Sequence, residues 1–130
     1  MKSVIGYCFT LFLILVAAVP ASGTICSQGK YGGAREIINH VNEDLRRAAD
    51  DARQGSKGKD ERERVDKAQH RLSELDQRLS KGKFDKGKLD DLISSVRDVA
   101  EHNTLAPPTR DALRADLTDL ERLRSAKGKL

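Results

Sequence analysis

The chain is 130 residues long and 34% charged, with 24 lysines and arginines against 20 aspartates and glutamates, for a formal net charge of +4. Aromatic residues make up 4% and tryptophan is absent, so there is almost nothing on which a base or a sugar ring can stack. Two cysteines cannot build a disulfide framework, and the length allows one small domain.

The N-terminus reads as a secretory signal peptide over residues 1–23. Met1-Lys2-Ser3 gives a short positive start, and Val4 to Ala18 is almost unbroken apolar sequence. Pro20-Ala21-Ser22-Gly23 then supplies the small residues that signal peptidase accepts. Crossing a bilayer takes roughly 20 consecutive apolar residues, and Pro20 interrupts this run, so a retained anchor is the lesser alternative. The expected location is secreted or periplasmic. Residues 24–33 have the composition of a flexible linker. They hold Cys26, the one thiol left after Cys8 departs with the signal, which is either half of an intermolecular disulfide or an incidental side chain. The bulky Ile25 before it argues against a bacterial lipid-attachment box.

Four helical periods follow. From Ala34 to Arg53, Ile37, Ile38, Val41, Leu45, Ala48, Ala49 and Ala52 recur every three to four residues. In the second segment Val65, Ala68, Leu72, Leu75 and Leu79 step as a heptad seam, with Asp60 and Glu63 spaced as a capping box at its start. The third opens on Phe84, Asp85 and Leu89, the spacing of a hydrophobic staple around an Asp N-cap. It continues through Leu92, Ile93, Val96, Val99 and Ala100 and ends at Asn103, a residue suited to the left-handed conformation. The fourth follows Pro107-Pro108, tolerated in a first turn, and carries Leu113, Leu117, Leu120 and Leu123. No stretch alternates like a strand. The expected fold is all-α: a small antiparallel bundle of four helices, made of two helical hairpins, over residues 34–126. Short linkers at 54–59, 80–84 and 103–108 connect them, and 127–130 form a basic tail.

The tripeptide Lys-Gly-Lys occurs at 57–59, 81–83, 86–88 and 127–129. Three copies fall at or beside expected helix ends, where glycine accepts the left-handed conformation and lysine faces the negative end of the helix dipole. The copy at 86–88 falls inside a first turn, where the dipole disfavours cations. Lys81, Lys83, Lys86 and Lys88 together form the best candidate basic patch for a phosphate, a polyanion or an anionic membrane surface. Residues 72–83 and 117–129 also share a leucine-rich pattern ending in Lys-Gly-Lys, which common helix grammar explains as well as duplication does.

Catalytic and cofactor motifs are missing from the sequence. There is no nucleophile elbow, no zinc-protease signature and no phosphate-cradling glycine loop. Of the three histidines, His70 has Glu74 one helical turn away, two potential zinc ligands without a third. The pairs Asp50-Asp51 and Asp90-Asp91 diverge by about 100° on a helix and do not share a face. The stretch from Phe84 to Arg124 is similar in style to short exported helical proteins of bacteria, and carries no motif from which a functional residue transfers. The expectation is a non-enzymatic exported helical module, without cofactor, that engages a protein partner or itself. Polyanion or membrane-surface binding through the four lysines is the alternative and metal handling the third. Nucleic acid is not an expected partner, and membrane contact is expected only through the signal segment or as weak surface binding.

Overall fold

A computed structural model describes residues 30–55 and 57–130; the expected signal peptide, most of the expected linker and Cys26 lie outside the described residues. The described chain is all-helical: α1 Gly32–Gln54, α2 Gly58–Ser80, α3 Lys86–His102 and α4 Pro107–Ser125, in agreement with the expected class. Among the described residues no helix is long and apolar enough to cross a membrane.

Each helix turns one apolar stripe inward. In α1 it is Ala34, Ile38, Val41, Leu45, Ala48 and Ala52, and in α2 Val65, Ala68, Leu72, Leu75 and Leu79. Leu89, Leu92, Ile93, Val96 and Val99 of α3 meet Leu113, Leu120 and Leu123 of α4 in the same buried cluster. A buried leucine or valine contributes about 1.5–3 kcal/mol over an exposed one, so this shared cluster is the main cohesive force. The helices follow one another around it, α1 on α2, α2 on α3, α3 on α4, and α4 back on α1. Ion pairs stitch three of those four contacts. Arg35 reaches Asp76 at 3.0 Å, Lys88 reaches Glu74 at 3.1 Å, and α3 and α4 are joined by Arg97 with Glu121 and Arg124 with Asp90. Among the described residues none crosses from α1 to α4.

Several local expectations are corrected. Helix α1 starts at Gly32, two residues early, because Tyr31 is buried against the bundle with its ring 6.3 Å from that of Phe84. The capping box at Asp60 and Glu63 does not form. Helix α2 starts at Gly58, its N-cap is Lys57 without a side-chain cap, and Asp60 lies inside the first turn. Two causes are visible. Glu61, four residues before Val65, continues the buried seam, and Gly58 lies so close to the Ala52 carbonyl that a Cβ would sit 2.7 Å from its oxygen. Asn103 is not left-handed but extended, with φ −89° and ψ 148°. It is buried, and its side chain donates to the Glu61 carbonyl at 3.0 Å and accepts from Arg64 at 3.2 Å.

Other punctuation is as expected. Asp85 caps α3 by accepting from the Lys88 backbone N–H at 3.1 Å, and Pro107 and Pro108 open α4. Gly82, at φ +70°, ends α2 with the paired bonds of a Schellman motif, Lys83 N to Arg78 O and Gly82 N to Leu79 O. Gly128, at φ +81°, follows α4 and donates to Leu123 O.

Candidate functional site

The heptad register that makes the core also exposes its exceptions. In α4 the buried positions are Thr109, Leu113, Asp116, Leu120 and Leu123, so an aspartate occupies a place where the step pattern calls for a leucine. Leu117, assigned to the apolar face by sequence, is only half-buried beside it. Asp116 is 6% exposed, and among the described residues no donor reaches its Oδ2. A buried carboxylate oxygen that no donor reaches costs several kcal/mol if the group is ionised.

What lies opposite makes the position more unfavourable still. Burial above all, with the neighbouring charge of Asp44 on α1, a hydrogen bond with it, and the charge of Asp119, raises the Asp116 pKa to about 7. Asp116 therefore holds its proton up to near neutrality. Asp44 itself keeps an ion pair with Arg47 at 3.0 Å, and Asp119 keeps one with Arg122 at 3.3 Å. Asp116 is the member left without a cationic partner among the described residues.

These carboxyls open into a groove of about 600 Å3 along the α1–α4 contact. Its apolar walls are Ile37, Ala112, Ala115 and Leu130, the last being, among the described residues, the exposed large hydrophobic one, at 51% exposure. Glu36, His40, Asp44, Asp116, Asp119 and Arg122 supply the polar lining. A strip of four acids on a chain of net positive charge is a local reversal of sign, which attracts cations to this face.

A second buried acid provides the contrast. Glu61, 1% exposed, also occupies a seam position, but its Oε1 accepts from the Thr104 backbone N–H at 2.9 Å. Its remaining oxygen, Oε2, has no partner, yet it faces the closed end of the bundle near Gly55 rather than a groove. Glu61 ties the first turn of α2 to the α3–α4 connection at that end and is architectural.

The residues singled out from sequence are placed elsewhere. Lys81, Lys83 and Lys86 are exposed around the α2–α3 connection, while Lys88 is half-buried in its ion pair with Glu74. That pair resolves the odd Lys-Gly-Lys copy, since Lys88 points across to α2 and not into its own helix dipole. Lys86 shares a shallow depression with Arg124 and Lys127. His70 Nε2 is 3.9 Å from Glu74 Oε1, but the other Glu74 oxygen is held by Lys88, and this contact holds the Glu74 carboxyl below its usual range. Among the described residues no three His, Cys, Asp or Glu side chains are grouped to hold a metal ion.

The sequence reading missed Asp44 and Asp116. The available signal was the seven-residue step linking Asp116 to Leu123 and Leu113 to Leu120, which outvotes Leu117 for the seam. Comparison with protein-family models, with curated proteins and with solved structures finds no match to this chain.

Proposed function

We propose that the chain is an exported, non-enzymatic helical protein whose four helices form two antiparallel hairpins, and which works by holding a protein partner in the α1–α4 groove. Export rests on the signal-like sequence of residues 1–23, and the antiparallel sense is supported by cross-helix contacts between early and late residues, such as Arg35 with Asp76. The observation that carries the interaction reading is the groove itself. It joins apolar walls to a buried carboxyl whose Oδ2 no donor of the described chain reaches, whereas the other three helix contacts are closed by ion pairs. The apolar seams are consumed in the shared core, so self-association through them is not part of this reading.

The test is site-specific photo-crosslinking in producing cells, with the crosslinker at Ile37 or Ala112 in the groove and at Lys67 on α2 as control. A discrete adduct outside the cytoplasm from the groove positions alone is expected. Equal yields from Lys67, or no adduct at the groove, would refute the assignment.

A second reading is favoured by one observation, that Lys86, Arg124 and Lys127 line one depression while Lys81 and Lys83 are exposed on the α2–α3 connection. It makes this end of the bundle a polyanion contact, and predicts retention on heparin that falls steeply with salt. Retention that persists after neutralising Lys81, Lys83, Lys86, Arg124 and Lys127 together would exclude it.

A further inference from the structure

We propose that the α1–α4 groove recognises a lysine side chain of the partner, its ammonium seated between Asp116 and Asp44 and its stem lying along Ile37, Ala112 and Ala115. The inference rests on the interaction reading above and names the chemistry that fills the groove.

Three features select that chemistry. The first is the unsatisfied acceptor: Asp116 Oδ2 is buried, lines the groove and receives no hydrogen bond among the described residues. An ammonium brings three donors and a positive charge to one point, enough to bond Asp116 and Asp44 together. The second is the wall. Ile37, Ala112 and Ala115 offer aliphatic surface beside the carboxyls, which matches a methylene stem and does not match the hydration shell of a bare metal ion. No group of three potential metal ligands is assembled among the described residues either. The third is sign. Glu36, Asp44, Asp116 and Asp119 line this groove on a molecule that is otherwise basic, which draws in a cation and repels an acidic segment. A lysine is preferred to an arginine because Arg47 and Arg122 already hold one oxygen each of Asp44 and Asp119, so neither offers both oxygens to a planar fork, whereas a compact ammonium can bond Asp116 and the remaining oxygen of Asp44.

The charged and titratable side chains lining the groove with Asp116 are Glu36, His40 and Asp44 of α1 and Asp119 and Arg122 of α4, with Arg47 paired to Asp44. Seating an ammonium against Asp116 requires the proton held by its carboxyl to leave. Binding therefore strengthens as pH rises from 6 to 8, and a proton is released as the complex forms.

The experiment uses the purified full chain, without the partner, and follows backbone amide NMR shifts of Asp44, Ala112 and Ala115. The probes are N-acetyl-lysine N-methylamide, its uncharged norleucine analogue, the arginine analogue, and zinc chloride. Saturable shifts are expected with the lysine probe, at least fivefold weaker with norleucine and weaker with arginine. In Asp116→Asn, which keeps the side-chain shape, lysine binding is expected to fall at least fivefold and to lose its pH dependence, and this loss separates Asp116 from His40. Equal binding of lysine and norleucine, tighter binding of arginine, tighter binding of zinc, or unchanged affinity in Asp116→Asn would each overturn the proposal. If crosslinks form at the groove but the lysine probe gives no shifts, this inference fails and the interaction reading stands. If no crosslinks form, the interaction reading itself fails.

Discussion

Glu61 Oε1, in the first turn of α2, accepts a hydrogen bond from the backbone N–H of Thr104 at 2.9 Å, across 43 residues of sequence. One residue earlier, Asn103 donates from its side chain to the Glu61 carbonyl, and Arg110 donates back to the Asn103 carbonyl at 3.4 Å. The first turn of α2 and the α3–α4 connection are thereby fixed to each other at one end of the bundle.

Removing the Glu61 carboxyl strands the Thr104 N–H and leaves a void, while the Asn103 bond survives because it goes to backbone. Glu61→Ala is expected to cost about 2–4 kcal/mol of stability. Glu61→Gln keeps an acceptor at Oε1 and is expected to cost ~1 kcal/mol or less. Urea unfolding of both variants checks this; equal losses would show that the Thr104 contact is not what holds this end.

Two glycines with the same backbone sign should respond differently to the same change. Gly82 and Gly128 have φ of +70° and +81°, so a side chain strains the backbone at either. At Gly82 a Cβ meets nothing within 4 Å, whereas at Gly128 it would lie 2.6 Å from Phe84 Cδ2 and 3.0 Å from Tyr31 Cε1. Gly82→Ala is expected to lower stability by about 1 kcal/mol, and Gly128→Ala by about 2–4 kcal/mol, since overpacking adds to strain. A thermal melt of each decides the matter, and similar shifts would mean that the residues after α4 do not pack on Tyr31 and Phe84.

The helices were legible because apolar spacing is a one-dimensional signal. Val65 to Leu79 can be read directly, and so can Asp85 as a cap and Gly82 as a stop, each being decided by residues within one or two turns. The misplaced features depend on distant partners. Asn103 looks like a left-handed stop until Glu61 and Arg64 hold it extended, and Gly58 looks like loop until Ala52 requires a residue without Cβ. The groove was hidden for the same reason. Asp116 and Asp44 are 72 positions apart, and each looks like one more surface acid in a chain rich in them. Only the closing of α4 onto α1 makes them neighbours, and only the register of Leu113, Leu120 and Leu123 forces Asp116 inward.

The ion pair between Lys88 and Glu74 has a consequence that can be measured without unfolding the protein. The hydrogen bond from Lys88 is the largest cause of the lowered Glu74 pKa, and the charges of Lys88, His70 and Arg71 act in the same direction. Lys88→Gln should therefore return the Glu74 carboxyl toward its ordinary value, whereas Lys81→Gln should leave it where it is. Carbon-13 NMR titration of the glutamate carboxyls reads both. A response to Lys81→Gln as large as that to Lys88→Gln would show that the four lysines act as one diffuse patch rather than as one half-buried contact and three solvated charges.

Asp116 gives the stability its own pH dependence. Its folded-state pKa stands at about 7 against 3.8 for the ordinary side chain, so between those values the folded protein binds a proton that the unfolded chain has released. A group raised in this way supports the fold fully below the lower value, and that support is lost as pH rises through the upper one. The slope is at most about 1.4 kcal/mol per pH unit for one proton, and other carboxyls superimpose their own. Replacing Asp116 by Asn removes this contribution, so the variant is expected to be more stable than the parent at pH 8, with the difference shrinking toward pH 4.5. Replacing it by Leu completes the seam of α4 and should stabilise further at pH 8, by on the order of 1–4 kcal/mol, because an apolar side chain exchanged into a buried charged position loses no desolvation penalty. Urea midpoints at pH 4.5, 6 and 8 test both statements. Parallel pH profiles for the parent and Asp116→Asn would mean that Asp116 is solvated in solution, and that the α1–α4 contact does not bury it. A gain in stability that accompanies loss of lysine binding would show what the charged seam position is retained for.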